Sequence, residues 1–410
     1  MLSLYYQQVK GTLTGMKLSE LKAWVNKHKA QIEQELKSLV EINTATSNTN
    51  GVDRGMDMLS QIAQTHNLMT LAINGRHRLI KAGNGQRPRP RILLIAHMDT
   101  VFDPNGDFLH YEPLDDGFVR GPGVGDIKGG MVMGLWSIIA LREMLGEAFD
   151  VQLVVSADEE NGSPTINDWY MRGNINADYA IGLEPGFPQG ELTPDVPLGV
   201  VEGRRGYGAI KFTVHGKACH SGTPELGINA VEAAAQRIIK MHALSRPKDG
   251  VTVNLGVIEG GLSPNTVPGY AKCTVSFRYM TQKDGEETKA AIEQILSEPV
   301  LYNEGLDLWD RTESETLAFI PPMEKSDKNR VLVDIVLEEA KRLGHNVVPI
   351  VRGGGSDANY ISASGTPSIC GMGAPAQGIH TTDEKIYLPM MFERIELLTA
   401  TLYRLIQRGK

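Results

Sequence analysis

The sequence predicts an α/β protein whose central mixed, mostly parallel sheet is assembled from both ends of the chain, with a smaller α+β unit inserted between. Three observations predict it. Short runs at 92–96, 151–157, 179–183 and 367–370 are largely branched and apolar on both faces, as buried parallel strands require. Helical stretches separate three of them, above all at 129–145, where Met131, Met133, Leu135, Ile138, Ile139 and Leu141 recur and support a βαβ unit. Between about Gly203 and Glu315 the rhythm changes to β-α-β-β-α-β, the ferredoxin-like order.

Taken in order, Leu18, Leu21, Trp24, Val25, His28, Ile32, Leu36 and Leu39 recur at three- and four-residue steps and mark an amphipathic helix. After the polar loop 44–50, a second helical pattern covers 54–66. In the inserted unit Ile210, Phe212 and Val214 alternate with polar residues, 228–244 is helical, 251–257 and 271–277 are strand-like, 286–296 is helical, and a weaker strand falls at 316–320. The stretch 389–407 reads as a last amphipathic helix packing on the main sheet. At 410 residues and 44.8 kDa the chain exceeds one ordinary core. The expected division is a discontinuous domain of residues 1–202 and 316–410 and an inserted domain of 203–315.

Composition excludes several classes. The balance of 41 Lys+Arg against 49 Asp+Glu leaves a charge of −8, which disfavours nucleic acid as a partner. The densest basic stretch, Arg87-Pro88-Arg89-Pro90-Arg91, is short and turn-like. No run approaches the roughly 20 apolar residues of a membrane span, and the first fifteen residues hold no continuous apolar core of a secretory signal. Three scattered cysteines without a CxxC pair point to reduced thiols and a cytoplasmic protein.

The chemistry gathers at strand ends. The run 92–96 leads into His97-Met98-Asp99, 151–157 into Asp158-Glu159-Glu160, and 179–183 into Glu184-Pro185. Ligands of open α/β sheets bind beyond these carboxyl ends. In an extended segment positions i and i+2 face the same way, so Asp99 can sit beside His97, accept its second ring N–H and fix the tautomer for metal binding. The glycine-rich stretch 120–130 fails the phosphate-loop spacing; its glycines suit a tight turn that aims Asp126 inward. Adjacent carboxylates at Asp158, Glu159 and Glu160 would repel in a partly desolvated cleft unless cations compensate them. If one ligates metal, its neighbour is placed to handle a proton. Singly, each motif also reads as an ordinary strand-end histidine, glycine turn or acidic surface turn. Together, His97, His380, Asp126, Glu160 and Glu184 make two imidazoles and three carboxylates, with Glu159 left over. Two Zn²⁺ against three carboxylates leave one positive charge for a bridging hydroxide, the count of a two-metal hydrolase with an uncoordinated base.

In order and spacing, His97-x-Asp99-Thr100-Val101, Gly121-Pro122-Gly123-x-x-Asp126-x-Lys128-Gly129-Gly130, Asp158-Glu159-Glu160, Leu183-Glu184-Pro185 and the late His380 resemble the M20 metallopeptidases, most of all their glutamate carboxypeptidase branch. The likeness runs from about Leu36 to the C-terminus. It implies a zinc-peptidase-like catalytic domain with an inserted lid and dimerisation domain, and two Zn²⁺ per subunit, with Co²⁺ or Mn²⁺ as alternatives. Asp126 would bridge them, His97 and Glu184 completing one site, Glu160 and His380 the other. Glu159 would be the general base and acid, and Asp99 the partner of His97. The stretch Gly216-Lys217-Ala218-Cys219-His220-Ser221-Gly222 resembles the lid motif whose histidine, here His220, stabilises the oxyanion and in family dimers reaches the neighbouring site. Asn265, in Ser263-Pro264-Asn265-Thr266-Val267-Pro268, resembles the lid asparagine.

Alternation from Ala271 to Phe277 puts Arg278 on the polar face of its strand, where its fork could hold a carboxylate; the resemblance assigns it the substrate's. The loop Gly353-Gly354-Gly355-Ser356-Asp357-Ala358 resembles the one contacting that carboxylate through Gly355 and Ser356; otherwise it is a turn with Ser356 as helix N-cap. Ile127 departs from the polar residue or Met of many relatives, and 186–199 matches poorly. His28, His66, His77, His110, His215, His242 and His345 fit no ligand position and are read as structural or solvated.

The implied activity is amide hydrolysis by a carboxypeptidase releasing a C-terminal glutamate-like residue. Its substrate is a small molecule or peptide with a free carboxylate, and its assembly a homodimer through the inserted domain. Rivals are a deacylase of N-acyl amino acids or an aminopeptidase, and a non-catalytic metal- or peptide-binding protein, which would not need Glu159. A nucleotide-binding oxidoreductase lacks a strand-linked Gly-x-Gly-x-x-Gly.

Overall fold

The computed structural model describes residues 16–85, 90–173 and 176–408. The first fifteen residues, and all of the basic stretch 87–91 except Pro90 and Arg91, lie outside them. Helix α1 (Leu21–Val40) follows the three- and four-residue pattern and buries Leu21, Trp24, Val25, Ile32, Leu36 and Leu39. Helix α2 (Thr49–Thr65) begins five residues earlier than the sequence pattern, because Asn48 caps it by accepting the N–H of Gly51. Strands β1 (Met69–Ile73) and β2 (His77–Ala82) form a hairpin across Asn74-Gly75, both at positive φ, the turn geometry that matches strand twist.

Strand β3 (Arg91–His97), the short β4 (Phe118–Arg120), helix α3 (Gly129–Leu145), β5 (Asp150–Ser156) and β6 (Tyr179–Gly182) follow. Then come the elements of the second unit: β7 (Gly206–His215), α4 (Ala230–His242), β8 (Thr252–Gly260), β9 (Tyr270–Tyr279), α5 (Gln282–Ser297) and β10 (Arg311–Ile320). The chain ends with α6 (Asp327–Leu343), β11 (Ser368–Ile369), β12 (Ala376–Gln377), β13 (Lys385–Tyr387) and α7 (Leu388–Arg408).

The main sheet has the order β1-β2-β5-β3-β6-β11. β5, β3, β6 and β11 run parallel and the β1–β2 hairpin adds on antiparallel to β5, so the sheet is mixed but mostly parallel. Helix α3 is apolar around its whole circumference and almost wholly buried. The segment Val124–Leu145 is in fact long and apolar enough to cross a membrane, which corrects the reading that no run approaches that length; its burial makes it a core helix.

The second unit's sheet has the order β8-β9-β7-β10, all antiparallel, the ferredoxin-like arrangement, with α4 and α5 packed on its apolar face. By compactness the chain divides into Met1–Glu202, Ser326–Ile350 and Ser364–Lys410 on one side and Gly203–Lys325 and Val351–Ala363 on the other. The expected boundary at 315 cuts through β10, which pairs with β7 along its length. The loop at 353–356 falls in the second unit rather than the first, since Arg204 and Arg278 bind its carbonyls.

Candidate metal centre

Register brings the acids and imidazoles together. In the parallel ladders His97 pairs with Ser156 and Ile95 with Gly182, so the residues following β3, β5 and β6 emerge side by side at one sheet edge. A second, smaller sheet supplies the rest. β4 runs antiparallel to β13, which runs antiparallel to β12. β4 leads into the loop carrying Asp126, and β12 and β13 flank the loop carrying His380, so this pairing sets the two loops face to face.

Asp126 lies between two imidazoles. Its Oδ1 is 3.2 Å from His97 Nε2 and its Oδ2 is 3.1 Å from His380 Nε2. Glu184 approaches His97 Nε2 at 3.7 Å, and Glu160 approaches His380 Nε2 at 3.4 Å. Two triads result, His97–Asp126–Glu184 and Asp126–Glu160–His380, each with donor atoms within 4.8 Å of one another. A tetrahedral ion with ligands at about 2.0–2.1 Å needs donors roughly 3.3 Å apart, and these separations bracket that value. Glu160 Oε1 is buried with no hydrogen-bond partner among the described residues, an acceptor for which a cation is the natural occupant. The residues fit a pair of divalent ions, and imidazole with carboxylate suits zinc.

The electrostatics agree. Burial alone would depress the His97 imidazole, yet the Asp126 and Asp99 carboxylates, with Glu159 and Glu184 nearby, raise it well above its ordinary value. Hydrogen bonds to Asp126 and Glu160 push His380 up to about 10. Burial would raise Asp126, but the two imidazoles outweigh it and hold that carboxyl below the usual carboxylate range. The cluster is thus strongly anionic and favours positive charge at its centre.

Asp99 does not meet His97 as the sequence suggested. His97 Nδ1 donates to the main-chain oxygen of Asp99 at 2.9 Å, while the Asp99 carboxylate stands at 3.5 Å. That carboxylate, fully buried, is taken up elsewhere. Its Oδ1 accepts the N–H of Glu159 (3.0 Å), and its Oδ2 accepts the N–H of Glu160 (3.1 Å) and the hydroxyl of Thr46 (2.8 Å). Glu159 Oε2 lies 3.8 Å from His97 Nε2, in neither triad. Asp158 turns away, accepting the N–H and hydroxyl of Thr165.

The other sequence-predicted residues lie in the second unit. His220 and Asn265 come together because the strand pair Cys219–His220 and Thr266–Val267 is closed by the Ser221 N–H donating to the Asn265 carbonyl. His220 is exposed, and its Nδ1 accepts the N–H of Gly222, which leaves the hydrogen on Nε2. Arg278 lies over the ring of Tyr207, 4.4 Å from its centre, and donates to the carbonyl of Gly353, so it adjoins Gly355 and the buried Ser356.

Sequence reasoning missed four residues that shape the first unit's site. His77 is buried and accepts the Ala157 N–H just ahead of Asp158. Thr46 holds Asp99, Lys128 ties Pro122 to Ile42 through its ammonium, and Glu384 is buried beside Asp126. Burial lowers Lys128 to about 7 and raises Glu384 to about 8. Only Lys128 had a signal, its place within the glycine-rich motif.

Residues 93–407 match the model of peptidase family M20/M25/M40. Over 381 residues the chain is 26% identical to the uncharacterized protein YqjE of Bacillus subtilis (strain 168), covering 90% of this chain and 96% of that one. It is 25% identical over 361 residues to carboxypeptidase G2 of Pseudomonas sp. (strain RS-16), covering 84% and 82%. Among solved structures, the aminopeptidase PepT of Bacillus cereus ATCC 10987 superposes with a TM-score of 0.75 at 21% identity, over 92% of this chain and 98% of that one.

Proposed function

From the premise that the chain belongs to peptidase family M20/M25/M40, and is an enzyme of that family, we propose that it is a dinuclear zinc-dependent amide hydrolase, a carboxypeptidase that releases a C-terminal glutamate-like residue. The observation that carries the reading is the pair of donor triads sharing Asp126, with Glu159 beside them in neither.

Asp126 offers one oxygen to each side; His97 and Glu184 complete one set, Glu160 and His380 the other. Divalent ions held there would polarise the scissile carbonyl and lower the pKa of water toward neutrality. His97 is oriented by the Asp99 carbonyl, which takes its Nδ1 hydrogen and would leave Nε2 as the lone pair offered to an ion. Glu159, its main chain pinned by Asp99, takes the proton of the attacking water on its carboxylate and returns one to the departing amine nitrogen. In the second unit His220 Nε2 carries the hydrogen that an oxyanion would accept, with Asn265 at its side. Arg278, steadied by Tyr207 and Gly353, would receive the substrate's free carboxylate, with Gly355 and Ser356 completing the contact.

Assembly as a homodimer through the second unit is part of the proposal. The edge strand β8 exposes Val257 and Ile258, and α4 exposes Ile239, apolar groups that a partner would cover. A cytoplasmic location, in which Cys219, Cys273 and Cys370 would stay reduced, is also part of the proposal.

A panel of N-acyl-glutamates, N-acetylated amino acids and dipeptides, run with metal analysis, tests the reading. Two divalent ions per chain and preferred release of glutamate are expected. Glu159→Gln should abolish turnover while leaving metal content nearly unchanged. Metal-loaded protein that hydrolyses nothing on the panel, or prefers N-acetylated substrates, would overturn the carboxypeptidase assignment.

A further inference from the structure

Glu384 is fully buried four residues beyond His380, and the hydrolysis derived above leaves it without a task. A buried carboxylate is costly unless its oxygens are satisfied. One of them is. Oε1 accepts two successive main-chain N–H groups, from Gly125 at 2.8 Å and from Asp126 at 3.1 Å. The turn Val124–Lys128 at the head of α3 is not regular helix, and its Asp126 has an extended ψ, so these two donors find no helical acceptor. Glu384 Oε2 is buried and has no hydrogen-bond partner among the described residues. The main chain of Glu384 is tied on both sides: its N–H donates to Thr381, and its carbonyl accepts the N–H of Gly121. One residue therefore fastens the loop carrying Asp126 to the loop carrying His380.

We propose that Glu384 is a positioning residue, fixing the direction in which Asp126 presents its two oxygens and locking that direction to the segment bearing His380. It touches neither substrate nor metal. The inference rests on the dinuclear reading of Asp126. The triad Asp126–Glu160–His380 depends on Glu384 through two of its members, and the triad His97–Asp126–Glu184 through one, so loss of the clamp weakens the former more.

Three substitutions separate reach from charge and from volume. Glu384→Gln keeps an oxygen at the same distance, Glu384→Asp keeps the charge but withdraws it by one methylene, and Glu384→Met keeps the bulk without an acceptor. Metal-free protein is titrated with Co²⁺, followed by its visible absorption, and with Zn²⁺ against a chromogenic chelator. Wild type should take two equivalents, and Glu384→Gln should bind both with close to wild-type affinity. Glu384→Asp and Glu384→Met should bind the second equivalent about 10–100-fold more weakly, with a changed cobalt spectrum at full loading. An Asp variant that matches or exceeds the Gln variant would overturn the inference, as would a folded Met variant with unchanged affinities and spectrum. If the Met variant does not fold, the order of Gln and Asp decides. Wild type that takes fewer than two ions would refute the dinuclear reading itself, and this inference with it.

Discussion

Replacing Asp99 with asparagine tests which task its carboxylate performs. In the structure Oδ1 holds the Glu159 N–H, and Oδ2 holds the Glu160 N–H and the Thr46 hydroxyl. An amide has one acceptor where the carboxylate has two. Placing its nitrogen at the Oδ1 position keeps both Glu160 and Thr46, whereas the reverse sets a donor against the Glu160 N–H. The first orientation is favoured, and the group released is Glu159. A donor left without its charged acceptor costs about 1–3 kcal/mol, and urea unfolding of the metal-free protein should show that loss. Catalysis should fall further if Glu159 is the general base proposed above, because displacing such a base forfeits about 10²–10⁴ in rate. Metal content should survive, since His97 still donates to the Asp99 main chain and Glu160 is still held. An unchanged unfolding midpoint would refute the reasoning. So would a variant that loses metal yet keeps the wild-type rate per bound ion, which would return Asp99 to the role of orienting His97.

Gly130→Ala should destabilise the protein by about 1–3 kcal/mol through overpacking and loosen metal binding. The added methyl would stand 2.1 Å from the carbonyl of Leu183, next to Glu184, whereas Gly354→Ala, which meets nothing, should leave the thermal midpoint in place. Acid should cost stability through His77: burial, the largest influence, lowers its pKa, with its Nδ1 spent on the Ala157 N–H, so below about pH 6.5 the unfolded chain takes up a proton that the folded one refuses. The difference in unfolding free energy between wild type and His77→Gln, followed downward from neutral pH, isolates this from His97 and His380, whose raised pKa values act in the opposite sense in metal-free protein; a difference that does not change with pH refutes it.

The sequence exposed the candidate centre because three of its five candidate ligands, His97, Glu160 and Glu184, sit where a buried strand stops. An apolar run ending in His97, Glu159-Glu160 or Glu184 places both strand and ligand, and parallel register does the rest. The glycines after Asp126 were legible as a turn, but their reason is closeness: a Cβ on Gly129 would meet the Val124 carbonyl and Ala374, and one on Gly130 the Leu183 carbonyl. The small sheet that sets the Asp126 and His380 loops together escaped notice, since strands of two or three residues carry no periodicity. The β1–β2 hairpin was missed despite its Asn74-Gly75 turn, because charged residues interrupt β2. The boundary at 315 failed because β10 is largely exposed and polar, a pattern that reads as loop until β7 is seen beside it. Glu384 was invisible for a different reason: its partner in the chain is Asp126, some 258 residues away.

Asp99 and Glu384 solve the same problem with different geometry, and that difference can be put to a test that neither could supply alone. Each is a fully buried acid that accepts two successive main-chain N–H groups beside a candidate ligand. At Asp99 the two donors divide between two oxygens, so an amide must abandon one of them. At Glu384 both donors converge on a single oxygen and the other has no partner, so an amide keeps both bonds and sets its new donor where nothing accepted before. If main-chain direction is what these acids provide, Asp99→Asn should lose turnover while keeping its metal, and Glu384→Gln should keep both, although its unmatched amide N–H costs about 1–3 kcal/mol of unfolding free energy. If negative charge is what matters, to balance Lys128 or the ions, both amides should fail alike. Paired measurements of turnover and metal affinity for the two variants on one preparation distinguish the cases, and equal losses of both would mean that electrostatics, not hydrogen-bond geometry, shapes the loops around Asp126.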